Sequence, residues 1–241
     1  SLNSELQTIK SYAFVNCSKL ETFEYPVTTQ DIQFDTTIMQ GCNGLTTVRI
    51  IGKGEMKNWT SGRQPWYTVR NKITSIEFGD EVTYVGSYVF EGTIGLETID
   101  WKNIKSIGSN AFTGCGIKDL KITETINNIG TTAFGSCPNL KTLKYPITSI
   151  TFTTDIFTGS TKLNTIEIYG TGSMQPYTHG NQPWNSIKNQ IEIITFGEGI
   201  NRIGNYSFEE TGKLHTINWG GVKQIGEQSF ASSGLKTLPI S

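Results

Sequence analysis

Apolar residues recur along the chain in short segments with the pattern Leu-x-Thr-Ile-x-Ile, in which the first, fourth and sixth positions are apolar. In an extended strand the fourth and sixth residues share one face, while the third and fifth residues point the other way. One face of each segment is therefore expected to enter a core, and the other to face solvent. The segments begin at Leu20, Leu45, Ile73, Leu96, Ile117, Leu140, Leu163, Ile191, Leu214 and Leu235.

These segments follow one another at about 22 residues, a spacing typical of repeat proteins whose units bury their apolar faces against each other. Each segment has to return to the same edge after one repeat, so the strands are predicted to be parallel. Side by side, they would form a long ribbon. We therefore predict an α/β, β-rich fold: a right-handed leucine-rich-repeat solenoid, horseshoe-like, with one parallel sheet and short helical turns.

The pattern also repeats as a whole about 118 residues later, a long-range duplication of the kind that marks repeat arrays. Leu96-Glu-Thr-Ile99 in the first half corresponds to Leu214-His-Thr-Ile217 in the second. The two near-duplicate halves, about 1–122 and 123–241, meet without a linker, so we predict a single solenoid over residues 1–241. In its last segment, Pro239 lacks an N–H and would blunt an exposed strand edge.

The path between strands carries a second motif, Ile-Gly-x-x-Ala-Phe, as at Ile107-Gly108 to Ala111-Phe112. Glycine permits a positive φ or a close backbone approach at the corner. The phenylalanine is expected to fill the far side of the repeat, so these rings should form a buried stack. With Ala, Ser or Val before the phenylalanine, and with valine as the first residue at position 85, the motif recurs at residues 85–90, 129–134, 203–208 and 225–230.

Two connections are longer, and both contain Gly-x-Gly-x-Met followed by Gln-Pro-Trp, ending at Trp66 and at Trp184. Proline favours the first turn of a helix, so a short helix is predicted after each Pro-Trp pair. Trp66 and Trp184 could anchor that helix against the repeat. As the alternative, they could bind sugar rings or partner proteins, because tryptophan is enriched at binding hot spots.

Composition narrows the function classes. The formal net charge of −1 gives no global field for nucleic acid or an anionic membrane. The sequence contains no run of apolar residues long enough to span a bilayer. His179 and His215 fall opposite Ser61 and Glu97 in the duplication, and no His/Cys cluster has metal-ligand spacing, so neither a metal nor a cofactor is predicted.

The duplication indicates whether the four cysteines are free or bridged. Across the duplication, Cys17 matches Cys137, Cys42 matches Ser160 and Cys115 matches Ser233. A position that accepts Cys or Ser indicates a small, tightly packed turn, which favours free thiols. Bridges between neighbouring repeats, Cys17–Cys42 or Cys115–Cys137, stay open as the alternative.

The outward face carries charge in blocks. Lys118, Lys121, Lys141 and Lys144 make the fifth and sixth strands basic. We hypothesise that they form a patch for an acidic protein or a sulfated glycan. The alternative is a solvated face that Asp119 and neighbouring acids neutralise.

Acidic residues precede this patch. Glu77 and Asp100 occupy one outward column on adjacent strands, with Glu97 beside them, and such carboxylates could lie about 5 Å apart, as in retaining glycosidases. The sequence indicates no groove or aromatic platform near them, so a solvated acidic edge is the favoured interpretation.

The complete pattern, Ile-x-x-Ile-Gly-x-x-Ala-Phe-x-x-Cys-x-x-Leu-x-x-Ile-x-Ile, resembles the BspA-like leucine-rich repeats (type 5), a family of bacterial and protist surface proteins. The Gly-Thr-Gly-x-Met to Pro-Trp loop together with the Ile-rich segment that follows it, at residues 170–204 and less closely at residues 52–86, is also similar to an element common in that family. The resemblance covers essentially the whole chain. It implies a secreted or cell-surface location, with an export signal that would lie outside this sequence, and adhesion to host or matrix proteins.

The leading functional hypothesis is a non-enzymatic binding protein at the cell surface, which holds a host protein, a matrix protein or a glycan. Its strand-lined face or its Pro-Trp loops would make the contact, through the lysines named above or through Trp66 and Trp184. A structural spacer that displays other domains is the first alternative, and a carbohydrate-active enzyme is the second.

Overall fold

A computed structural model describes residues 7–27 and 32–238, and Pro239 with its predicted edge role lies outside them. The strands in chain order are β1 (Thr8–Ile9), β2 (Thr22–Val27), β3 (Gln33–Phe34), β4 (Thr47–Glu55), β5 (Ser75–Phe78), β6 (Glu81–Val85), β7 (Thr98–Asp100), β8 (Ser106–Ile107), β9 (Asp119–Lys121), β10 (Asn128–Ile129), β11 (Thr142–Pro146), β12 (Thr151–Phe152), β13 (Thr165–Tyr169), β14 (Gly172–Ser173), β15 (Ile193–Phe196), β16 (Ile200–Ile203), β17 (Thr216–Asn218) and β18 (Gln224–Ile225). Two 3₁₀ helices, Tyr67–Lys72 and Asn185–Gln190, follow the Pro-Trp pairs, which confirms the predicted helix positions.

All pairings between these strands are parallel, as the repeat predicts. The front strands, which are β2, β4, β5, β7, β9, β11, β13, β15 and β17, each begin two residues after a predicted anchor. Only the tenth segment, at Leu235, forms no strand within the described residues. Along β11, Leu143 and Tyr145 are buried while Thr142 and Lys144 face outward, so the predicted alternation of faces is confirmed.

The prediction of one parallel sheet is wrong. The Ile-Gly corners form a second set of short strands on the opposite side of the repeats, for example β8 paired with β6 and β10. Corner residues such as Ile107 and Ile129 are β-branched and extended, and they stack in register with their counterparts one repeat away. Two-residue strands are too short to show an alternating pattern, so the corner motif was visible in the sequence but its pairing into strands was not predicted.

The core lies between these front and back strands and contains the predicted stack of aromatic rings. Phe112 lies 5.4 Å from Phe90 and 5.2 Å from Phe134, centroid to centroid, with nearly parallel planes. In the two long repeats a tryptophan takes the place of phenylalanine in this column. Trp66 stacks on Phe90 at 5.4 Å, and the corresponding distance for Trp184 and Phe208 is 4.9 Å.

The corner glycine is required by close approach rather than by a positive φ. A Cβ atom on Gly108 would lie 2.6 Å from the backbone nitrogen of Ser87 in the preceding repeat. A positive φ occurs instead two residues after the glycine, where Asn110 and Thr132 have φ values of 56° and 53°. Asparagine tolerates this left-handed region, whereas a β-branched threonine does so only at a cost.

All four cysteines are free thiols, and only Cys17 is exposed. The exchange of Cys for Ser between the halves has a direct explanation. Cys42 Sγ donates to the carbonyl of Phe14 at 2.9 Å, and Ser160 Oγ donates to the carbonyl of Phe134 at 2.8 Å. A small side chain with one donor, Cys or Ser, therefore closes the same turn in both halves.

Among the described residues, no helix is long and apolar enough to cross a membrane.

Candidate binding site

Within the part of the chain that the structure describes, the row of front strands is interrupted between β7 and β9, which end two separate sheets and do not pair. The cause is one missing residue. In regular repeats a small residue stands three positions before the apolar anchor, and the anchor N–H donates to its carbonyl, as from Leu96 to Thr93 and from Leu140 to Cys137. Only two positions separate Cys115 from Ile117, so this turn is absent there.

In place of this turn, Gly116 makes the backbone contact with the preceding repeat. Its N–H donates to the carbonyl of Thr93 at 3.0 Å, and a Cβ atom on Gly116 would lie 1.8 Å from the carbonyl oxygen of Ile94. The two repeats therefore touch at this point and separate beyond it. The second half repeats the device, because Ser233 and Leu235 are also two positions apart and the Gly234 N–H donates to Thr211 at 3.0 Å.

The separation leaves a cavity of about 380 Å³ between the two sheets, which we name the front cleft. Trp101 and Ile117 are buried at its floor. One wall is formed by the consecutive residues 97–102 and exposes the edge of β7. The other wall is formed by every second residue from Ile117 to Thr123. The lining is Glu97, Thr98, Ile99, Asp100, Trp101, Lys102, Ile117, Asp119, Lys121 and Thr123.

Backbone groups of both strands face this cleft. The Thr98 N–H donates to Thr74, on the β5 side, and the Ile122 N–H donates to Lys144, on the β11 side. Backbone groups of successive strand residues alternate between the two edges. Ile99 on one wall, and Asp119 and Lys121 on the other, consequently direct their amide and carbonyl groups into the front cleft. The two walls are unpaired strand edges, which readily accept a further strand.

The rim of the front cleft carries both signs of charge. Lys102 Nζ lies 3.4 Å from a carboxylate oxygen of Asp100. Lys121 Nζ lies 5.1 Å from the centroid of the Tyr169 ring, and the Tyr169 hydroxyl donates to the carbonyl of Ile122 at 2.6 Å. Burial, with a smaller contribution from Glu124, raises the pKa of Tyr169 to about 12. This phenol therefore stays neutral at physiological pH and can donate its hydrogen bond.

The four predicted lysines lie together on β9, β11 and the residues before them, and all four are exposed. Lys121 and Lys144 are direct neighbours in the strand register. Lys144 is held by Glu167, with 2.8 Å between Nζ and the carboxylate. Of the four, only Lys121 lines the front cleft, so the lysines flank this cavity more than they form it.

The acidic column is built as predicted, because Glu77 and Asp100 are neighbours in the strand register. Sequence reasoning missed Arg49, which lies 3.1 Å from Glu24 and 2.7 Å from Glu77. The hydrogen bond from Arg49 is the main cause that lowers the pKa of Glu24. The expectation of no groove nearby is wrong, since Asp100 lines the front cleft. Glu77 does not, and both carboxylates are engaged in ion pairs.

Trp66 and Trp184 are placed in the core, each only 1% exposed. Their indole N–H groups donate to the carbonyls of Val89 at 3.0 Å and Ser207 at 2.7 Å. The same bond in both halves explains why each loop keeps its tryptophan. This placement favours the anchoring alternative, and direct contact with a partner would require the loop to open.

A buried carboxylate that sequence reasoning missed organises the second Pro-Trp loop. Glu209 is 3% exposed and accepts hydrogen bonds from the Gly180 N–H at 2.7 Å, from Gln182 Nε2 at 2.8 Å and from His179 Nδ1 at 2.7 Å. Burial alone would raise its pKa, but these hydrogen bonds outweigh burial and leave the pKa lowered. In the first loop, Glu91 stands at the corresponding position and accepts a hydrogen bond from the Ser61 hydroxyl at 2.9 Å. The shared Phe-Glu pair is the signal that could have revealed both.

The duplicated position in the second half has a smaller cavity of about 190 Å³. Its lining is His215, Thr216, Ile217, Trp219, Leu235 and Thr237. The carboxylates Glu97 and Asp119 of the front cleft are replaced there by His215 and Thr237. The front cleft is therefore the charged version of a site that each half builds. Within the described ranges no three His, Cys, Asp or Glu residues are grouped so as to hold a metal ion.

Short repeats, parallel front and back strands and few helices define the class of leucine-rich repeat proteins. More specifically, the chain belongs to the BspA type leucine rich repeat family, whose repeat region it matches in six copies over residues 1–61, 66–183 and 180–241. The resemblance seen in the sequence is thereby confirmed. A search of curated proteins found no match to the chain.

Solved structures similar to this chain are bacterial leucine-rich repeat proteins. One from Bacteroides ovatus is 17% identical over 96% of this chain and 75% of that chain, with a TM-score of 0.44. Another, from Eubacterium ventriosum, is 17% identical over 77% and 58%, with a TM-score of 0.45. A leucine rich cell surface protein from Faecalibacterium prausnitzii is 15% identical over 88% and 82%, with a TM-score of 0.28.

Proposed function

We propose that the protein is a non-enzymatic binding protein of the cell surface, and that it holds an extended segment of a partner protein in the front cleft. The observation that carries this proposal is the pair of unpaired strand edges that face each other there. The family of bacterial leucine-rich repeat proteins supports a scaffold role in protein binding. In this proposal the repeats form one right-handed solenoid across both halves, and the scaffold stays rigid while the front cleft receives the ligand.

An extended peptide matches the chemistry of the front cleft. Its main chain can donate to and accept from the amides and carbonyls of Ile99 on one wall and Asp119 and Lys121 on the other, as in strand addition to a sheet edge. Because side chains of a strand alternate, every second side chain of the peptide would point to the floor. Trp101 and Ile117 offer that side chain an apolar surface, and the charged rim would select the side chains that point outward.

The lysines contribute to this proposal as a flanking surface. Lys118 and Lys141 are exposed beside the front cleft, and long-range attraction from such a patch mainly raises the association rate. An acidic stretch in a host or matrix protein, or a sulfated glycan attached to it, would be attracted there. A surface location follows the family and would place the front cleft where such partners occur.

The experiment compares two substitutions at one position on an array of matrix glycoproteins and sulfated glycans. Asp119→Pro removes the side chain and also the N–H that faces the front cleft, whereas Asp119→Ala removes the side chain alone. Residues 120 and 122, which bond to β11, are unchanged in both, so an edge proline is tolerated. Circular dichroism and thermal melting confirm that both variants keep the fold.

We expect saturable binding to at least one array protein. The Asp119→Ala variant should retain this binding, and the Asp119→Pro variant should weaken it by about tenfold or more. Proline removes one main-chain hydrogen bond to the peptide, and its ring blocks the approach of the peptide to the strand edge. Equal binding by both variants would contradict strand addition. Loss of binding only when the four lysines are changed to glutamate would assign the contact to the lysine patch. Failure of the unmodified chain to bind any array member would favour the spacer alternative.

A further inference from the structure

Two buried thiols meet where the halves of the chain join. Cys115 belongs to the last repeat of the first half and Cys137 to the first repeat of the second, and their Sγ atoms lie 3.2 Å apart. Both residues are 0% exposed, and both are free thiols. The thiol–thiol contact adds to the bond that this position makes with a backbone carbonyl, because Cys137 Sγ also lies 3.3 Å from the carbonyl oxygen of Phe112, as Ser160 Oγ lies 2.8 Å from that of Phe134.

The backbone around these thiols is held at the spacing of adjacent strands. The Phe112 N–H donates to the carbonyl of Ala133 at 2.8 Å, and the rings of Phe112 and Phe134 stack at 5.2 Å. A disulfide requires Cα atoms roughly 4.4–6.8 Å apart and an S–S bond of about 2.05 Å. Neighbouring strands, about 4.8 Å apart, meet the first condition, and bond formation would bring the two sulfur atoms closer by a little more than about 1 Å.

We propose that Cys115 and Cys137 form a disulfide when the chain folds in oxidising surroundings, and that this bond braces the two halves behind the front cleft. The oxidant is a small-molecule disulfide such as glutathione disulfide. One cysteine thiolate attacks it and releases one glutathione, and the second thiol then displaces the other glutathione. The protein gives up two electrons and two protons, and one glutathione disulfide becomes two glutathione thiols.

The timing follows from burial. In the folded, reduced protein the hydrogen bond with Cys137 and burial together raise the pKa of Cys115 well above its ordinary value. Thiolate is the attacking species, so exchange in the folded state is slow. The bond therefore forms during folding, before the Phe112 turn closes over the thiols. Ile117, which lines the front cleft, is only two residues from Cys115, so the bond would lie directly behind the cleft.

The test isolates this pair. In the variant Cys17→Ser/Cys42→Ser, only Cys115 and Cys137 remain, and serine at position 42 copies Ser160 of the second half. The protein is unfolded with reductant and refolded in a glutathione/glutathione disulfide buffer or, in parallel, with reductant throughout. Remaining thiols are alkylated with N-ethylmaleimide in denaturant, and the intact mass and tryptic peptides are measured. The added substitution Cys115→Ser, which copies Ser233, is the matched single-thiol control.

We expect no maleimide adduct after oxidative refolding, two adducts after reductive refolding, and a linked pair of peptides containing Cys115 and Cys137. At equilibrium the oxidised form should exceed the reduced form by about tenfold or more. The thermal midpoint should rise by about 5–10 °C, because the bond closes a loop across the two repeats. The single-thiol control should keep one adduct and fold normally.

Two adducts after oxidative refolding would overturn the proposal, and so would an oxidised form that melts below the reduced form. If the double variant fails to fold, the unmodified protein gives the same answer by peptide mapping. A link of Cys115 with Cys137 supports the proposal there. A link confined to Cys17 and Cys42, with Cys115 and Cys137 alkylated, refutes it. None of these readouts depends on a partner, so the result is independent of the proposed binding function.

Discussion

Replacing Phe112 by alanine should be among the most destabilising single changes in this fold. Its ring is fully buried and lies 5.4 Å from Phe90 and 5.2 Å from Phe134 in the stack. Trp101 also meets it edge-on at 5.5 Å. Truncation of a buried phenylalanine costs about 3–5 kcal/mol, including the cavity that is left. Aromatic contacts add about 0.5–1.5 kcal/mol each, so we expect the upper part of that range, about 5 kcal/mol.

The same column offers a matched control. Phe230 stacks on Phe208 at 5.7 Å but is only partly buried at the end of the described stack. Phe230→Ala should therefore cost about half as much as Phe112→Ala, because less apolar surface is removed from the core. The contrast separates burial from residue type, since both variants remove the same atoms.

Urea unfolding followed by circular dichroism and tryptophan fluorescence measures both losses of unfolding free energy. Coincident transitions by the two probes would show that the repeats unfold as one cooperative unit. A cost for Phe112→Ala below about 1 kcal/mol, or one no larger than that of Phe230→Ala, would refute the reasoning that the ring stack is the continuous core.

Three further predictions address local features. Glu209→Gln should lower the unfolding free energy by about 1–3 kcal/mol at neutral pH. The folded-state pKa of Glu209 is lowered, so its stabilisation is present above the ordinary glutamate pKa and is lost as pH falls through the folded pKa. Chemical unfolding at several pH values should therefore show that the difference in unfolding free energy between the variant and the unmodified protein shrinks as pH falls. Gly116→Ala should cost about 2 kcal/mol or more, because its Cβ would meet a backbone oxygen at 1.8 Å, whereas Gly212→Ala, with nothing within 4 Å, should change thermal stability little. Thr132→Asn should raise stability by about 0.5–1 kcal/mol, because threonine is strained at a φ of 53°; an unchanged melting temperature would contradict this.

Sequence reasoning predicted correctly the features that depend on a single repeat. The Leu-x-Thr-Ile pattern located the front strands, because alternation between core and solvent is a property of each strand alone. Comparison of the halves also identified the small-residue position shared by Cys42 and Ser160. It missed Arg49 and Glu209, since each acts on residues one repeat or more away. Their partners Glu77 and Gly180 are remote in sequence and meet only after the repeats stack.

The sequence by itself determined the class of fold, the period, the buried aromatic column and the family, because these depend on local periodicity that is written once per repeat. Only the tertiary structure decided that β7 and β9 do not pair and that a cleft opens between them. The shortened spacing from Cys115 to Ile117 is visible in the sequence, but its effect is not. A missing residue can be absorbed in a turn or can separate two strands, and the contact of Gly116 with the preceding repeat settles which of these occurs.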